Sequence, residues 1–184
     1  MLELQTLQTE SLPISMRVLD STSIGTILKI QDEAFEVLQD KDLLRRNTVD
    51  TLLPCFNDDS LVLGAYVDGT IAGIGILYAA GADHENLAYE IDDFREKERY
   101  ANAKLIIVRP AFRGAGIQRR LLDEMTRFAA AKGFLGILAT VSPKNDISIA
   151  NLLHCGFVAI KTGLVKYGGK QRILFFKGIG INSA

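Results

Sequence analysis

Along this chain, apolar residues switch between strand-like and helix-like spacing in a definite order. Residues 14–20, ISMRVLD, read as a short strand. STSIGTILKIQDEAFEVLQ follows, opening with cap residues Ser21, Thr22 and Ser23, with Ile24, Ile27, Leu28, Phe35 and Leu38 at helical spacing. A second helix is predicted from Asn47 or Thr48 to about Pro54. Two β-rich runs then flank Asp68-Gly69, the strongest hairpin signal in the chain. ANAKLIIVRP, residues 101–110, is apolar enough for a strand buried on both faces.

The second half repeats the alternation. Residues 116–132 form a predicted helix striped by Ile117, Leu121, Leu122, Met125, Phe128 and Ala129, with Gly133 as its C-terminal cap. FLGILATVSP is a strand. NDISIANLLHCGF is a helix with Asn145 as N-cap and Gly156 just past its end. FVAIKTGLVKYGGKQRILFFKGI closes as a hairpin turning at Gly168-Gly169. A mixed α/β (α+β) sheet with helices on both faces fits this order, in one domain spanning residues 1–184.

Composition narrows the chemistry. The 184 residues are 48% hydrophobic and carry a formal net charge of -1, which gives no global drive toward nucleic acid or an anionic membrane. Cys55 and Cys155 have neither metal-site nor disulfide-framework spacing, so no metal is expected. MLELQTLQTE lacks a basic start and an apolar core, and the longest greasy run, TIAGIGILYAAGA, is 13 residues long where a span needs about 20. A cytoplasmic protein is expected.

One patch departs from the average. KLIIVRPAFRGAGIQRRLL, residues 104–122, places two glycines at a strand-to-helix junction beside Arg109, Arg113, Arg119 and Arg120. Bare backbone, unpaired first-turn N–H groups and the positive end of a helix dipole together make an anion site. A solvated basic face on an ordinary capped helix is the alternative. Neither a Walker loop nor a complete G-x-G-x-x-G is present: residues 114–119 lack the third glycine, and residues 73–78 lie inside a strand.

The stretch Val108-x-Pro110 followed by Arg113-Gly114-Ala115-Gly116-Ile117 resembles the GCN5-related N-acetyltransferases. So do Asn145, Ser148, Gly156 and Phe157, which follow at the family's distance, and the element order agrees from about residue 14 to 180. The resemblance implies a central sheet of about seven strands, splayed between the fourth and fifth, and acetyl-coenzyme A as co-substrate. It implies that the backbone of residues 113–118 (Arg113, Gly114, Ala115, Gly116, Ile117, Gln118) holds the pyrophosphate. Ile106 and Val108 would pair with the pantetheine arm, and Asn145 would touch the same arm.

The chain departs from the family at two positions. Gln118 stands where the family has Gly or Ala, and is expected to point away from the cofactor. Leu152 stands where many members carry the tyrosine that protonates the leaving thiolate, and leucine cannot donate a proton. Ser148, one helical turn earlier, shares that face and could reach the thiol or bond its own helix backbone. His154 faces away, and Cys155 is expected in the core.

The strand before the glycine loop has no acid to act as base. Residues 83–99 have seven acids against three bases, and Glu90 and Asp92 lead because they alternate on a possible extended run. This charge predicts a small cationic amine as acceptor. The implied activity is N-acetyl transfer by direct attack of a primary amine, from a small molecule or a lysine-like or amino-terminal group. A non-catalytic acyl-coenzyme A sensor is the alternative. A homodimer is compatible; nucleic acid and membrane are not expected partners.

Overall fold

The computed structural model describes residues 13–180. The N-terminal stretch read above for targeting signals lies outside the described residues. Seven strands form one sheet in the order β1-β2-β3-β4-β5-β7-β6. They are β1 (Ile14–Val18), β2 (Leu61–Val67), β3 (Thr70–Tyr78), β4 (Tyr100–Val108), β5 (Gly136–Val141), β6 (Val158–Lys166) and β7 (Lys170–Gly178). Every neighbouring pair is antiparallel except β4 and β5.

The β2–β3 turn is at Asp68-Gly69, both with positive φ, as the dipeptide predicts. The last hairpin turns one residue earlier than expected. Tyr167 joins Gly168 and Gly169 in the left-handed region, with φ of 54°.

α1 (Ile24–Glu36) and α2 (Val49–Leu52) cover one face of the sheet; α3 (Ile117–Ala131) and α4 (Asp146–His154) cover the other. Ser23 stands at the N-cap position of α1 without a side-chain cap bond; Ser21–Ser23 forms a 3-10 turn capped by Asp20, whose side chain accepts from the Thr22 N–H at 3.0 Å. The buried stripe of α1 is Ile24, Ile27, Ile30, Gln31 and Ala34, so Phe35 and Leu38 are only partly covered. Thr48 caps α2 in a reciprocal box with Thr51. Ile74, Ile76, Leu105 and Ile107 meet this layer, while Leu121, Leu122 and Met125 of α3 pack on the opposite face.

Gly73 and Gly75 have a packing role. A Cβ on Gly73 would lie 2.9 Å from the Ile107 carbonyl and 3.0 Å from Ile117, and one on Gly75 3.2 Å from Leu121. Bare backbone on β3 therefore lets the start of α3 sit close against the sheet.

Segment 83–99 is not an extended run. It is a loop with two 3-10 turns, Leu87–Glu90 and Lys97–Arg99. Asn86 caps the first, and Leu87 and Ala88 sink against Leu138, Leu164 and Leu174 in a third small core. Burial of that pair overrides the alternation on which Glu90 and Asp92 were paired.

The segment linking α1 to α2 crosses the molecule as a strap. Asp42 reaches Lys170, Asp40 reaches Lys144, and Arg45 pairs with Glu85. The strap's exit is fixed from inside: buried Gln31 donates to the Asn47 carbonyl at 3.0 Å and accepts from the Asn47 N–H at 2.7 Å.

Two outcomes follow from this packing. Gly73→Ala should cost about 1–3 kcal/mol, because the neighbour that must yield is backbone. Gln31→Leu should cost about 2–4 kcal/mol, because it leaves the Asn47 N–H and carbonyl buried without partners. Urea unfolding monitored by circular dichroism reads both; midpoints equal to the parent's would refute the packing argument.

Candidate active site

α3 begins without a side-chain cap. Its N-cap is Gly116, in the left-handed region at φ of 73°, and Gly114 shares that region at 84°. The strain would be high for an ordinary residue at either position. Nothing lies within 4 Å of a Cβ built on either glycine, so the loop borders open space. The first turn's N–H groups thus face a groove of about 570 Å³, lined by Ile106, Val108, Arg113, Gly114, Gly116, Ile117, Gln118, Asn145 and Ser148. That is the size range of a ligand site.

The groove continues into a gap in the sheet. β4 and β5 are paired only from Tyr100 to Asn102 on β4 and from Gly136 to Leu138 on β5. Beyond Asn102 the strands diverge, and a second cavity of about 110 Å³ opens between Ala103–Ile106 and Ala139–Val141. Leu43, Leu44, Ile106, Gln118, Asn145 and Ser148 line both spaces, so groove and cavity meet. Lys104 is the extra residue of a β-bulge opposite Ile76 and Leu77, which bends β4 where it leaves β5. Asn102 fixes the branch point: its Nδ2 donates to the Glu85 carbonyl at 2.8 Å, and its Oδ1 accepts from the Leu87 N–H at 3.2 Å.

The expected residues divide. Asn145 caps α4, its Oδ1 accepting from the Ser148 N–H at 3.1 Å. Ser148 faces both spaces, and its hydroxyl has no hydrogen-bond partner among the described residues. Leu152 is 2% exposed and forms part of the cavity wall. Gln118 does not point away. Its Oε1 accepts from Asn151 Nδ2 at 2.8 Å, which lays the side chain along α4 and across the groove wall.

Of the four arginines, Arg113 and Arg119 line the groove. Arg109 is turned inward by a bidentate pair with Glu33, at 2.8 and 3.2 Å. Arg120 is exposed outside both spaces.

Glu90 and Asp92 do not enter the site. Glu90 pairs with Lys166 on β6, and Asp92 is exposed. Among the described residues, no carboxylate lines either space. Most other acids of the segment are also engaged: Asp83 accepts from the Tyr78 hydroxyl, and Glu85 takes both Arg45 and Lys104. Burial raises the Glu85 carboxyl, but the hydrogen bonds from Lys104 and Arg45 outweigh it and hold the group below its ordinary value. Of the acids that predicted a cationic acceptor, Glu85 and Glu90 are thus ion-paired, and none lines the cavity among the described residues.

Sequence reasoning missed the charged and aromatic residues of the cavity wall, Arg45, Lys104, Tyr167 and Arg172. Tyr167 lies beside the turn glycines, and its hydroxyl is 3.0 Å from Thr140 Oγ1. Arg172 is in phase with buried Leu174 on β7, so period-two alternation could have placed it inward. Burial pushes the Cys55 thiol up to about 11 and raises the Cys155 thiol as well, which disfavours the reactive thiolate of each. Among the described residues, no group of three His, Cys, Asp or Glu is placed to hold a metal ion, and no helix is long and apolar enough to cross a membrane.

Known proteins with this architecture fit the geometry. The structure of yncA from Salmonella typhimurium, solved with its cofactor acetyl-CoA, superposes with a TM-score of 0.67 at 17% identity, over 94% of this chain and 97% of that one. A ribosomal-protein-alanine N-acetyltransferase from Brucella melitensis gives 0.67 at 19% identity, over 89% and 99%. An acetyltransferase of the GNAT family from Streptococcus pneumoniae gives 0.64 at 20% identity, over 91% and 100%. No curated protein sequence matches the chain. These likenesses show the fold. The model of the Acetyltransferase (GNAT) family matches residues 25–157, and the chain belongs to that family.

Proposed function

We propose that the protein transfers an acetyl group from acetyl-coenzyme A to a primary amine. One observation carries the reading: a single groove runs from the uncapped start of α3 to the gap between β4 and β5. Acetyl-coenzyme A supplies the activated acetyl group, which the acceptor amine takes by direct attack. The chain's own residues bind, align and move protons.

The backbone of residues 113–118 holds the pyrophosphate. Gly114 and Gly116 admit it, the dipole of α3 attracts it, and Arg113 and Arg119 add charge from the wall. Gln118 contributes its backbone amide while its side chain is held by Asn151. Beyond Asn102, β4 has no strand partner on its β5 side, so backbone groups around Ile106 and Val108 are available to the pantetheine arm. A β4 N–H in the same stretch polarises the thioester carbonyl. Asn145 spends its Oδ1 on the cap and keeps its Nδ2 for the arm.

The Ser148 hydroxyl, unpartnered among the described residues and facing the groove, hydrogen-bonds the departing thiolate and relays to it a proton from water, a role Leu152 cannot fill. With no carboxylate in the wall, the amine's proton leaves to water, and most of the rate comes from positioning.

Two experiments test this. Calorimetry should detect acetyl-coenzyme A binding that Gly116→Val abolishes, since the variant strains the left-handed backbone and fills the open space above it. Arg113→Ala should weaken binding less. Normal affinity in Gly116→Val would refute the site. In a thiol-release assay, Ser148→Ala should lower kcat by roughly tenfold to a hundredfold, at or below the usual range for one proton transfer. An unaltered kcat would remove Ser148 from the mechanism. Tight acetyl-coenzyme A binding without turnover of any amine in a broad panel would leave a binding module, not an enzyme.

A further inference from the structure

The cavity between the diverging strands contains a charge that acetyl transfer alone does not explain. Arg172 on β7 lines it and is 3% exposed. Its Nη1 donates to the Gln171 carbonyl at 2.8 Å and its Nη2 to the Asp42 carbonyl at 2.9 Å. Both acceptors are neutral. The nearby carboxylates are committed elsewhere: Asp42 to Lys170 at 2.7 Å and Asp40 to Lys144 at 2.9 Å. Among the described residues, Arg172 has no ion-pair partner. Burial lowers its pKa, the direction expected for a cation removed from water. A buried charge without a direct ion pair is costly, and an anion entering the cavity would offset that cost.

The rest of the wall has the same sign. Arg45 and Lys104 line the cavity and share one carboxylate, Glu85, which is not among its described wall residues, so the three groups keep a single net positive charge. The Tyr167 ring centroid lies 4.2 Å from the Arg45 guanidinium and 5.8 Å from that of Arg172, within cation–π range of both. Tyr167 and Thr140 share one hydrogen bond, so one of the two hydroxyl protons is left to donate. The opposite wall is β4 at Ala103–Ile106, where the amine must lie to reach the thioester.

We propose that this cavity is the acceptor site and that the acceptor carries an anionic group, a carboxylate or a phosphate, paired with Arg172. The inference rests on the acetyltransferase reading and adds the substrate class. It reverses the expectation of a cationic acceptor drawn from residues 83–99.

Matched probes test it: glycine against glycinamide, and O-phosphoethanolamine against ethanolamine, with putrescine as the cationic arm. Calorimetry with coenzyme A present gives binding, and thiol release from acetyl-coenzyme A gives transfer. In the unmodified protein, one anionic member should bind roughly 30-fold or more tighter than its neutral partner, the scale for a buried charge pair. Whichever pair has the larger ratio identifies carboxylate or phosphate. Arg172→Gln should bring that ratio close to one, and Arg172→Lys should retain part of it. The melting temperature of Arg172→Gln should not fall, because an unpaired buried cation has been removed. Should that variant fail to fold, the ratios in the unmodified protein decide alone. A ratio near or below one in both pairs, or putrescine binding as tightly as the better anionic probe, overturns the proposal. Arg172-dependent anion binding without transfer would defeat the acetyltransferase reading and leave this site standing. Transfer to neutral or cationic amines with no anionic preference would do the reverse.

Discussion

The site depends on a hydrogen-bond ladder that stops early. β4 and β5 are joined by three residue pairs and then part, inside a sheet that is otherwise continuous. Backbone groups in a protein interior must find partners, so two unpaired inner edges cannot close on apolar side chains alone. The sheet holds the gap open by several means. The bulge at Lys104 bends β4, Asn102 seals the branch point against residues 85–87, and the strap spans the opening. An extended ligand with its own amides can complete the edge as an added strand does.

Much of the fold was legible because local chemistry decides it. Asp68-Gly69 dictates a tight turn, Thr48 and Asn145 cap their helices through their own side chains, and the stripe of α3 allows one orientation on the sheet. The glycine loop was legible for the same reason: Gly114 and Gly116 hold a conformation that few other residues tolerate. Tertiary contacts overrode the pattern elsewhere. Gln31 entered the α1 core to serve the backbone of Asn47, which no apolar stripe anticipates.

The cavity between β4 and β5 was poorly legible because its walls come from separate parts of the chain. Arg45 belongs to the strap, Lys104 to β4, Tyr167 to a turn and Arg172 to β7. Charge summed along the sequence does not describe the cavity wall. The acids of residues 83–99 are near the cleft in sequence terms, yet Glu85 and Glu90 are spent on Arg45, Lys104 and Lys166. A net charge counts residues, whereas a field at a cavity depends on which of them already have partners.

The shared wall has a kinetic consequence. Six residues, Leu43, Leu44, Ile106, Gln118, Asn145 and Ser148, border both groove and cavity. A donor lying in the groove therefore supplies part of the surface that an acceptor meets. Until the donor is in place, the smaller space has one side missing. On the proposed function, the two substrates add in a fixed order, donor first, and both are present before either product leaves. The spent coenzyme, still forming that wall, departs last.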